Sequence, residues 1–376
     1  MRQSIVASDL LEGQETFWSF VRLACGDLVK DLIEWGLRRL QHQGVGVGWH
    51  ERSRRRSGYR NGTYTRKLVT PEGPVKVKVP RIRGASLLTR AVFDRYQQRC
   101  DDVDRVLRQA YLMGLSTGDA AELGGQLFGQ DVSRQTISAL GRWLDVRLQM
   151  YRQMPILGHY PVVQLDGMYV TVGGRKKVIV VAMGIQEDGT KHVLGFSLGR
   201  GESCRDLLWD LRERGLEGVE VFVTDDSGPI RSALEEVYPE VPKQVCVWHL
   251  LQNLHRRLKG ADHRLKMLLG ASRIFRCVSL EAALEETERW TRRWGPHEEE
   301  TVGWFLDVLG DSLNFYHMPE PWWKRTRTTS LTERLIGKLR RRLNLMGAFA
   351  NAAAADRAVF GQLLRWRLVP EITHKA

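Results

Sequence analysis

The sequence predicts a multidomain chain of the α+β/α/β kind, built on a mixed sheet with an all-helical segment attached. Three observations predict it. Residues 160–246 alternate strand-like apolar runs with amphipathic helical stretches, whereas residues 247–320 read as helix throughout. Ahead of both lie a basic hairpin-like segment and a run of short helices opened by serines. The chain has 376 residues, 43% hydrophobic and 27% charged, which is enough to bury more than one core and excludes a disordered chain, a collagen-like chain or a small disulfide-stapled module.

In chain order, residues 16–42 read as a helix with Phe17, Phe20, Val21, Leu28, Leu32, Trp35, Leu37 and Leu40 roughly on one stripe. Its partner is either its own domain or a second copy. Residues 59–80 read as a β-hairpin: YRNGTYTRKLVT, a PEG turn, then PVKVKVP, whose alternation puts Lys76 and Lys78 on one face. Residues 101–145 read as a helix-turn-helix. Its helices lie near 102–113 and 117–127, with Ser116 capping the second and Ser133 capping a third, RQTISALGRWLDVRL. Strands follow at 162–172, 176–185 and 192–198, joined by Gly173-Gly174 and Asp188-Gly189 into a meander. Then come a helix (204–215), a buried strand (219–226), a helix (229–238) and a short strand from 243. Residues 328–345 form a basic amphipathic helix opening at a capping Thr or Ser. The expected domains are 1–48, 49–100, 101–155, the first part of the core at 156–246, the helical segment at 247–325 and C-terminal core helices at 326–376.

Charge points to the partner. The net charge is +13, and residues 50–83 hold 11 Lys or Arg against Glu51 and Glu72. An acidic polymer, nucleic acid above all, fits such clustering. Arg54, Arg55, Arg56, Arg60, Asn61, Lys76 and Lys78 are the expected backbone contacts, although lysines also guard exposed strand edges. On the third helix Arg134, Gln135, Ser138 and Arg142 would face the major groove, where Arg and Gln read guanine and adenine edges. No run of 18 apolar residues exists, so no membrane partner is expected. Five scattered cysteines and no secretory leader suggest reduced thiols in a cytoplasm, with the protein on the nucleoid.

Three carboxylates stand apart. Asp166 lies inside an apolar strand, Asp225 ends the buried strand VEVFVT, and Glu333 lies in the basic helix. A carboxylate within an apolar strand is costly unless it has a partner or a function. Two Asp from neighbouring strands and a Glu from a helix suit a pair of Mg²⁺ ions, which favour carboxylates and leave room for phosphate. Taken singly, each also has a structural reading: a bulge residue, a helix cap and a helical salt bridge to Arg334 or Lys338.

Longer motifs join these residues. GYRNGTY (58–64), PEGPVKVKVPR (71–81), RYQQR (95–99), GLSTGDAAE (114–122), LDGMYV (165–170), AMGIQEDGTKHVLGF (182–196), VTDDSGPIRSAL (223–234), QVCVWHLLQNL (244–254) and RTTSLTERLIGKLRRRLNLMGAF (327–349) span nearly the whole chain. With them the sequence resembles the Mutator-type bacterial insertion-sequence transposases, DDE recombinases with a ribonuclease-H-like core. The resemblance implies a ribonuclease-H-like mixed sheet carrying an all-helical insertion, accommodated by the 108 positions from Asp225 to Glu333. It implies a catalytic and metal-binding triad of Asp166, Asp225 and Glu333, two Mg²⁺ ions (with Mn²⁺ as substitute), and a Cys246-x-x-His249 element beside the site. It also implies double-stranded DNA partners, both terminal inverted repeats and target, hydrolysis at the element's ends, transfer of the 3′-OH through a circular intermediate, and a homodimer or larger assembly. Ser330 replaces the usual Asn, and Gly228-Pro229 departs from the usual Lys-Gly-Leu.

Other readings accompany this one. Zinc on Cys246 and His249 is disfavoured because it needs two further ligands, for which Cys277 and His255 are the candidates. A buried pair stiffening the site edge, or a role at the scissile phosphate, are the alternatives. Trp322 and Trp323, beside Lys324, Arg325 and Arg327, either pack in the helical segment or stack a flipped base. For the whole chain, a catalytically inactive DNA-binding relative and a general nuclease or junction resolvase stand against the transposase.

Overall fold

The computed structural model describes residues 14–83, 92–93, 97–199, 203–258 and 263–370. Arg95 and Tyr96 of the RYQQR motif lie outside the described residues. The chain divides into two compact units, Met1–Arg142 and Trp143–Ala376.

The first unit opens with the 32-residue helix α1 (Gln14–Val45), followed by β1 (Tyr59–Thr70) and β2 (Gly73–Arg83), which pair antiparallel. Alternation in VKVKV decides the faces: Val75, Val77 and Val79 are buried, and Lys76 and Lys78 are exposed. The turn reverses through Gly73 at φ +122°, a conformation that disfavours a side chain. Leu37 joins these valines, Leu68 and Phe93 in one core, and Ile33 packs against it. Glu34 accepts the Lys78 N–H at 2.9 Å, and Gln41 donates to the Arg81 carbonyl.

This geometry corrects the single stripe expected of α1. Leu37 points inward, Phe20, Val21 and Leu40 are half-buried, and Phe17, Leu28, Leu32 and Trp35 are exposed.

Three short helices complete the unit: α2 (Asp101–Leu112), α3 (Thr117–Phe128) and α4 (Arg134–Gly141). Ser116 and Ser133 cap the latter two by accepting the N–H of Asp119 and Thr136. Val103, Leu107, Ala120, Phe128 and Ile137 form their core. The helix expected to run unbroken from Ser133 through RQTISALGRWLDVRL breaks at Arg142, and α5 (Trp143–Gln153) begins the second unit.

The second unit is built on a five-stranded sheet. Its strands are β3 (Val162–Val172), β4 (Arg175–Ile185), β5 (Lys191–Gly199), β6 (Val221–Thr224) and β7 (Lys243–Val245), in the order β5-β4-β3-β6-β7. The first three form the expected antiparallel meander, while β6 and β7 add in parallel. The buried strand is shorter than 219–226, stopping at Thr224 so that Asp225 lies just beyond it. Helices α6 (Ser203–Glu213) and α7 (Gly228–Val237) pack on one face through Leu207, Leu208, Leu211, Ile230 and Leu234.

After β7 the chain is helical: α8 (Val247–Arg257), α9 (Arg264–Ile274), α10 (Leu280–Trp294) and α11 (Glu299–Ser312). Their core gathers Leu250, Leu254, Met267, Trp290, Trp294 and Phe305. Two 3₁₀ turns and the one-turn α12 (Trp323–Thr326) lead to α13 (Ser330–Met346), which packs across β3, and to α14 (Ala352–Arg365). No helix among the described residues is long and apolar enough to cross a membrane.

Candidate active site

The site forms at the junction of β3, β6, α8 and α13. Parallel pairing sets Val162 against Val221 and Gln164 against Val223; the same offset carried two residues further brings Asp166 beside Asp225. Asp166 occupies regular strand register opposite Val181, is 8% exposed, and accepts the Gly167 N–H at 2.7 Å. It is therefore no bulge residue. Asp225 accepts the Ser227 N–H at 3.2 Å, and the cap position of α7 belongs to Ser227. Its neighbour Asp226 is ion-paired with Arg231.

Glu333 sits in the first turn of α13 and is turned away from helical salt bridging: its Oε1 lies 3.0 Å from the Thr329 hydroxyl and 3.8 Å from His249 Nε2. Thr329 holds the N-cap position of α13 without a side-chain cap bond, correcting the expected capping hydroxyl. That hydroxyl is instead shared between Glu333 and the Cys246 sulfur, 3.4 Å away, and its single proton serves one of them at a time.

Cys246 ties the two sides together. Its N–H donates to the Thr224 carbonyl, one residue before Asp225, and its sulfur accepts from Thr329, four residues before Glu333. Within one turn of Cys246, α8 carries His249 to the carboxylates. Burial acts to raise the Cys246 thiol, but hydrogen bonds from His249 and Thr329 outweigh it and hold the thiol below its ordinary value. Burial likewise opposes charge on His249, yet Cys246, Glu333 and Asp166 together push it up to about 9. At neutral pH a cation thus faces the acidic cluster.

Asp166 is pushed up to about 6, first by burial and then by the negative charges of Asp225 and Glu333, against the pull of the Gly167 N–H and His249. Carboxylate oxygens are the donors that Mg²⁺ and Mn²⁺ take, so the residue types of Asp166, Asp225 and Glu333 suit such an ion. Among the described residues, the group that brings one donor atom each within 4.8 Å of one another is Cys246, His249 and Glu333. Cys277 and His255, the expected further zinc donors, are not in that group: Cys277 donates to the Arg273 carbonyl and His255 faces Arg264.

The expected DNA-contacting residues divide. In the first unit Arg54, Arg55, Asn61, Lys76, Lys78, Arg134, Gln135, Ser138 and Arg142 are exposed. Arg56 is drawn inward, donating to the Glu51 carbonyl and stacking on Tyr59, and Arg60 donates to the carbonyls of Val47 and Gly48. In the second unit Lys324 is exposed, Arg325 lies over the Trp322 ring, and Arg327 donates to the Phe275 carbonyl. Trp323 packs edge-on to Phe315 and Tyr316 and spends its indole N–H on the Met318 carbonyl; Trp322 packs against the Val162, Ile185 and Val221 cluster. Both tryptophans are half-buried. Sequence reasoning missed Gln164, Thr329 and Thr332, all fully buried around Glu333; the signal for Gln164 was a lone amide inside an apolar strand.

The central strand of a mixed sheet, the end of the strand beside it and the helix packed across it thus bring Asp166, Asp225 and Glu333 close enough for their charges to act on one another. The family model described as "Transposase, Mutator family" matches residues 19–365, and the chain belongs to that family. It is similar to the transposase for insertion sequence element ISRM5 of Rhizobium meliloti, 28% identical and covering 89% of this chain and 85% of the relative. It is also similar to the transposase for IS905 of Lactococcus lactis, 28% identical over 79% of this chain and 77% of the relative. The transposase for IS256 in transposon Tn4001 of Staphylococcus aureus is 27% identical over 84% of this chain and 83% of the relative.

Proposed function

We propose that the protein is a DNA transposase that binds the terminal inverted repeats of its own insertion sequence, hydrolyses a phosphodiester at each end and transfers the freed 3′-OH to target DNA. The observation that supports this reading is that Asp225 and Glu333, 108 positions apart, both lie near enough to Asp166 for their negative charges to raise its pKa. The strand order, with the antiparallel meander leading into parallel β6 and β7, agrees with a ribonuclease-H-like core.

Asp166 and Asp225 would hold both Mg²⁺ or Mn²⁺ ions and Glu333 would complete one; bound there, the ions supply Lewis acidity at the attacking and leaving oxygens. The chain's own residues do the rest. The Gly167 and Ser227 N–H groups each hold one oxygen of their carboxylate, which fixes the direction of the other. Thr329 orients Glu333, and protonated His249 offsets part of the cluster's negative charge as a phosphate approaches. The nucleophiles are water and then a DNA hydroxyl, so no covalent protein–DNA intermediate forms. The exposed basic residues of the hairpin and Arg134 and Gln135 of α4 are the surfaces we assign to the repeats.

The test is a cleavage and joining assay on DNA flanking the coding region, with Mg²⁺ or EDTA, comparing wild type with Asp225→Asn. Metal-dependent nicks at defined ends, lost in the variant although DNA is still bound, are the expected result. Binding without any nick in either protein would overturn the catalytic reading, and nicking indifferent to the repeats would point to a general nuclease.

A further inference from the structure

Helix α1 has two apolar faces and its own unit covers one. At about 100° per residue, Ile33, Leu37 and Gln41 lie on the face that packs on β2. Trp18, Val21, Cys25, Leu28, Leu32 and Trp35 lie on the opposite face. They follow one another at spacings of 3, 4, 3, 4 and 3, an unbroken a/d heptad pattern. Trp18 is 56% exposed, Leu28 60%, Leu32 57% and Trp35 57%. Cys25 is exposed as well, and Val21 is half-buried. A helix apolar on both faces belongs inside an assembly rather than on a surface.

We infer that this seam is a self-association surface, packed in the functional protein against the same seam of a second copy of the chain. Three features select that occupant. The six positions carry no charge, which disfavours DNA, whose backbone calls for Lys and Arg. The pattern is nearly symmetric about its midpoint. Laid antiparallel on itself it pairs Trp18 with Trp35, Val21 with Leu32 and Cys25 with Leu28, so each small side chain meets a large one. The exposed parts of these side chains on two copies, if fully buried, amount to roughly 1,200 Å², which reaches the lower end of the range for specific stable interfaces. Arg39, whose guanidinium lies 5.0 Å from the Trp35 ring centroid, closes one end with its charge in water. The seam belongs to α1 alone and is independent of the cleavage chemistry.

The experiment is sedimentation equilibrium of the full chain, without DNA, for wild type, for Leu28→Glu with Leu32→Glu, and for Lys76→Glu with Lys78→Glu as a control on the same unit. Both seam residues are exposed in the single chain, so the first variant should retain the wild-type circular dichroism spectrum. A wild-type dimer weakened at least about 100-fold by the seam variant and unchanged in the control is the expected result. A wild-type monomer at micromolar concentration would overturn the inference. So would a dimer that survives the seam variant, since it would be built on another surface. If the seam variant loses its helical signal, Cys25 supplies an independent measurement. Maleimide labelling of wild-type Cys25 should slow as protein concentration rises through the dimer range, and concentration-independent labelling would refute the seam.

Discussion

The side chain of Gln164 accepts both the N–H and the hydroxyl of Thr332, at 3.2 and 3.0 Å, and so fastens the central strand to the helix that carries Glu333. The same amide donates to the carbonyls of Arg325 and Thr328. One fully buried side chain, two residues from Asp166 and facing the residue before Glu333, thus meets four backbone or hydroxyl groups at the mouth of α13. It thereby ties the strand that carries Asp166 to the helix that carries Glu333.

Replacing Gln164 with Leu keeps similar volume and strands those partners. A buried polar group left unpaired costs about 1–3 kcal/mol, and relaxation recovers part of the sum, so a loss of about 2–4 kcal/mol is expected. Thr332→Val removes one hydroxyl and keeps the N–H bond, costing about 1 kcal/mol. Chemical denaturation of both variants and of the double variant gives the coupling. The Mg²⁺ concentration for half-maximal cleavage should rise in Gln164→Leu more than in an equally destabilised variant remote from the site. Additive single losses and an unchanged Mg²⁺ requirement would show that the amide sets nothing.

How much was legible beforehand follows from where information lies along the chain. Runs of Val and Ile bounded by glycine turns marked β3, β4 and β5, because buried strands need little beyond apolar β-branched side chains. The serine caps at 116 and 133 were legible because capping is local. Asp166 stood out as a charge in an apolar strand. Gln164 did not, since an amide there reads as polar variation until the helix 168 positions away supplies its partners. For the same reason a Thr or Ser opening this helix reads as a cap, whereas the acceptors of the Thr329 hydroxyl, Cys246 and Glu333, include one supplied from a distant segment. On α1, one periodicity count merged two faces, because both are apolar and only the hairpin's position separates them.

The acidic cluster should cost stability in the absence of metal. Asp166 has its pKa raised from 3.8 to about 6, by burial first and by Asp225 and Glu333 next. The folded protein therefore holds this proton more tightly than the unfolded chain. The penalty is absent below pH 3.8, grows as pH rises and is complete above about 6, where it reaches at most about 3 kcal/mol. Asp166→Asn should accordingly melt several degrees above wild type at pH 7.5 in EDTA while losing cleavage, and the gap should close toward pH 4. Mg²⁺ should raise the wild-type melting temperature more than that of the variant. A variant that melts lower than wild type at pH 7.5 would show that the carboxylates are not strained together.

Packing in the sheet core is tight at Gly184. A Cβ placed there meets Tyr160 Cδ1 at 2.5 Å and Leu194 Cδ1 at 2.7 Å, and both neighbours are buried. Gly184→Ala should cost about 1–3 kcal/mol in urea unfolding. Gly303, inside α11, has nothing within 4 Å of the same construction, and Gly303→Ala should gain up to about 1 kcal/mol from helix propensity. Equal effects at the two glycines would contradict the packing described for β4.

The basic surface of the first unit makes separable predictions about affinity and specificity. Arg54 and Arg55 are exposed, whereas Arg56 and Arg60 are engaged with backbone carbonyls and the rings of Tyr59 and Trp49. Removing Arg54 and Arg55 should weaken binding to every duplex alike and flatten the salt dependence by about one for each phosphate no longer neutralised. Replacing Arg60 should instead loosen the segment around Trp49 and reduce stability more than it changes the salt slope. With about six to eight phosphates neutralised by the whole protein, log affinity should fall against log salt with a slope of roughly −5 to −7. Arg134 and Gln135, at the exposed start of a capped helix, should behave differently: Ala at either position should narrow the gap between repeat and unrelated DNA by about 1–3 kcal/mol. Fluorescence anisotropy with repeat and scrambled duplexes across a salt series measures both quantities. A slope near zero would remove the electrostatic argument, and an unchanged gap in Arg134→Ala and Gln135→Ala would move sequence reading away from α4.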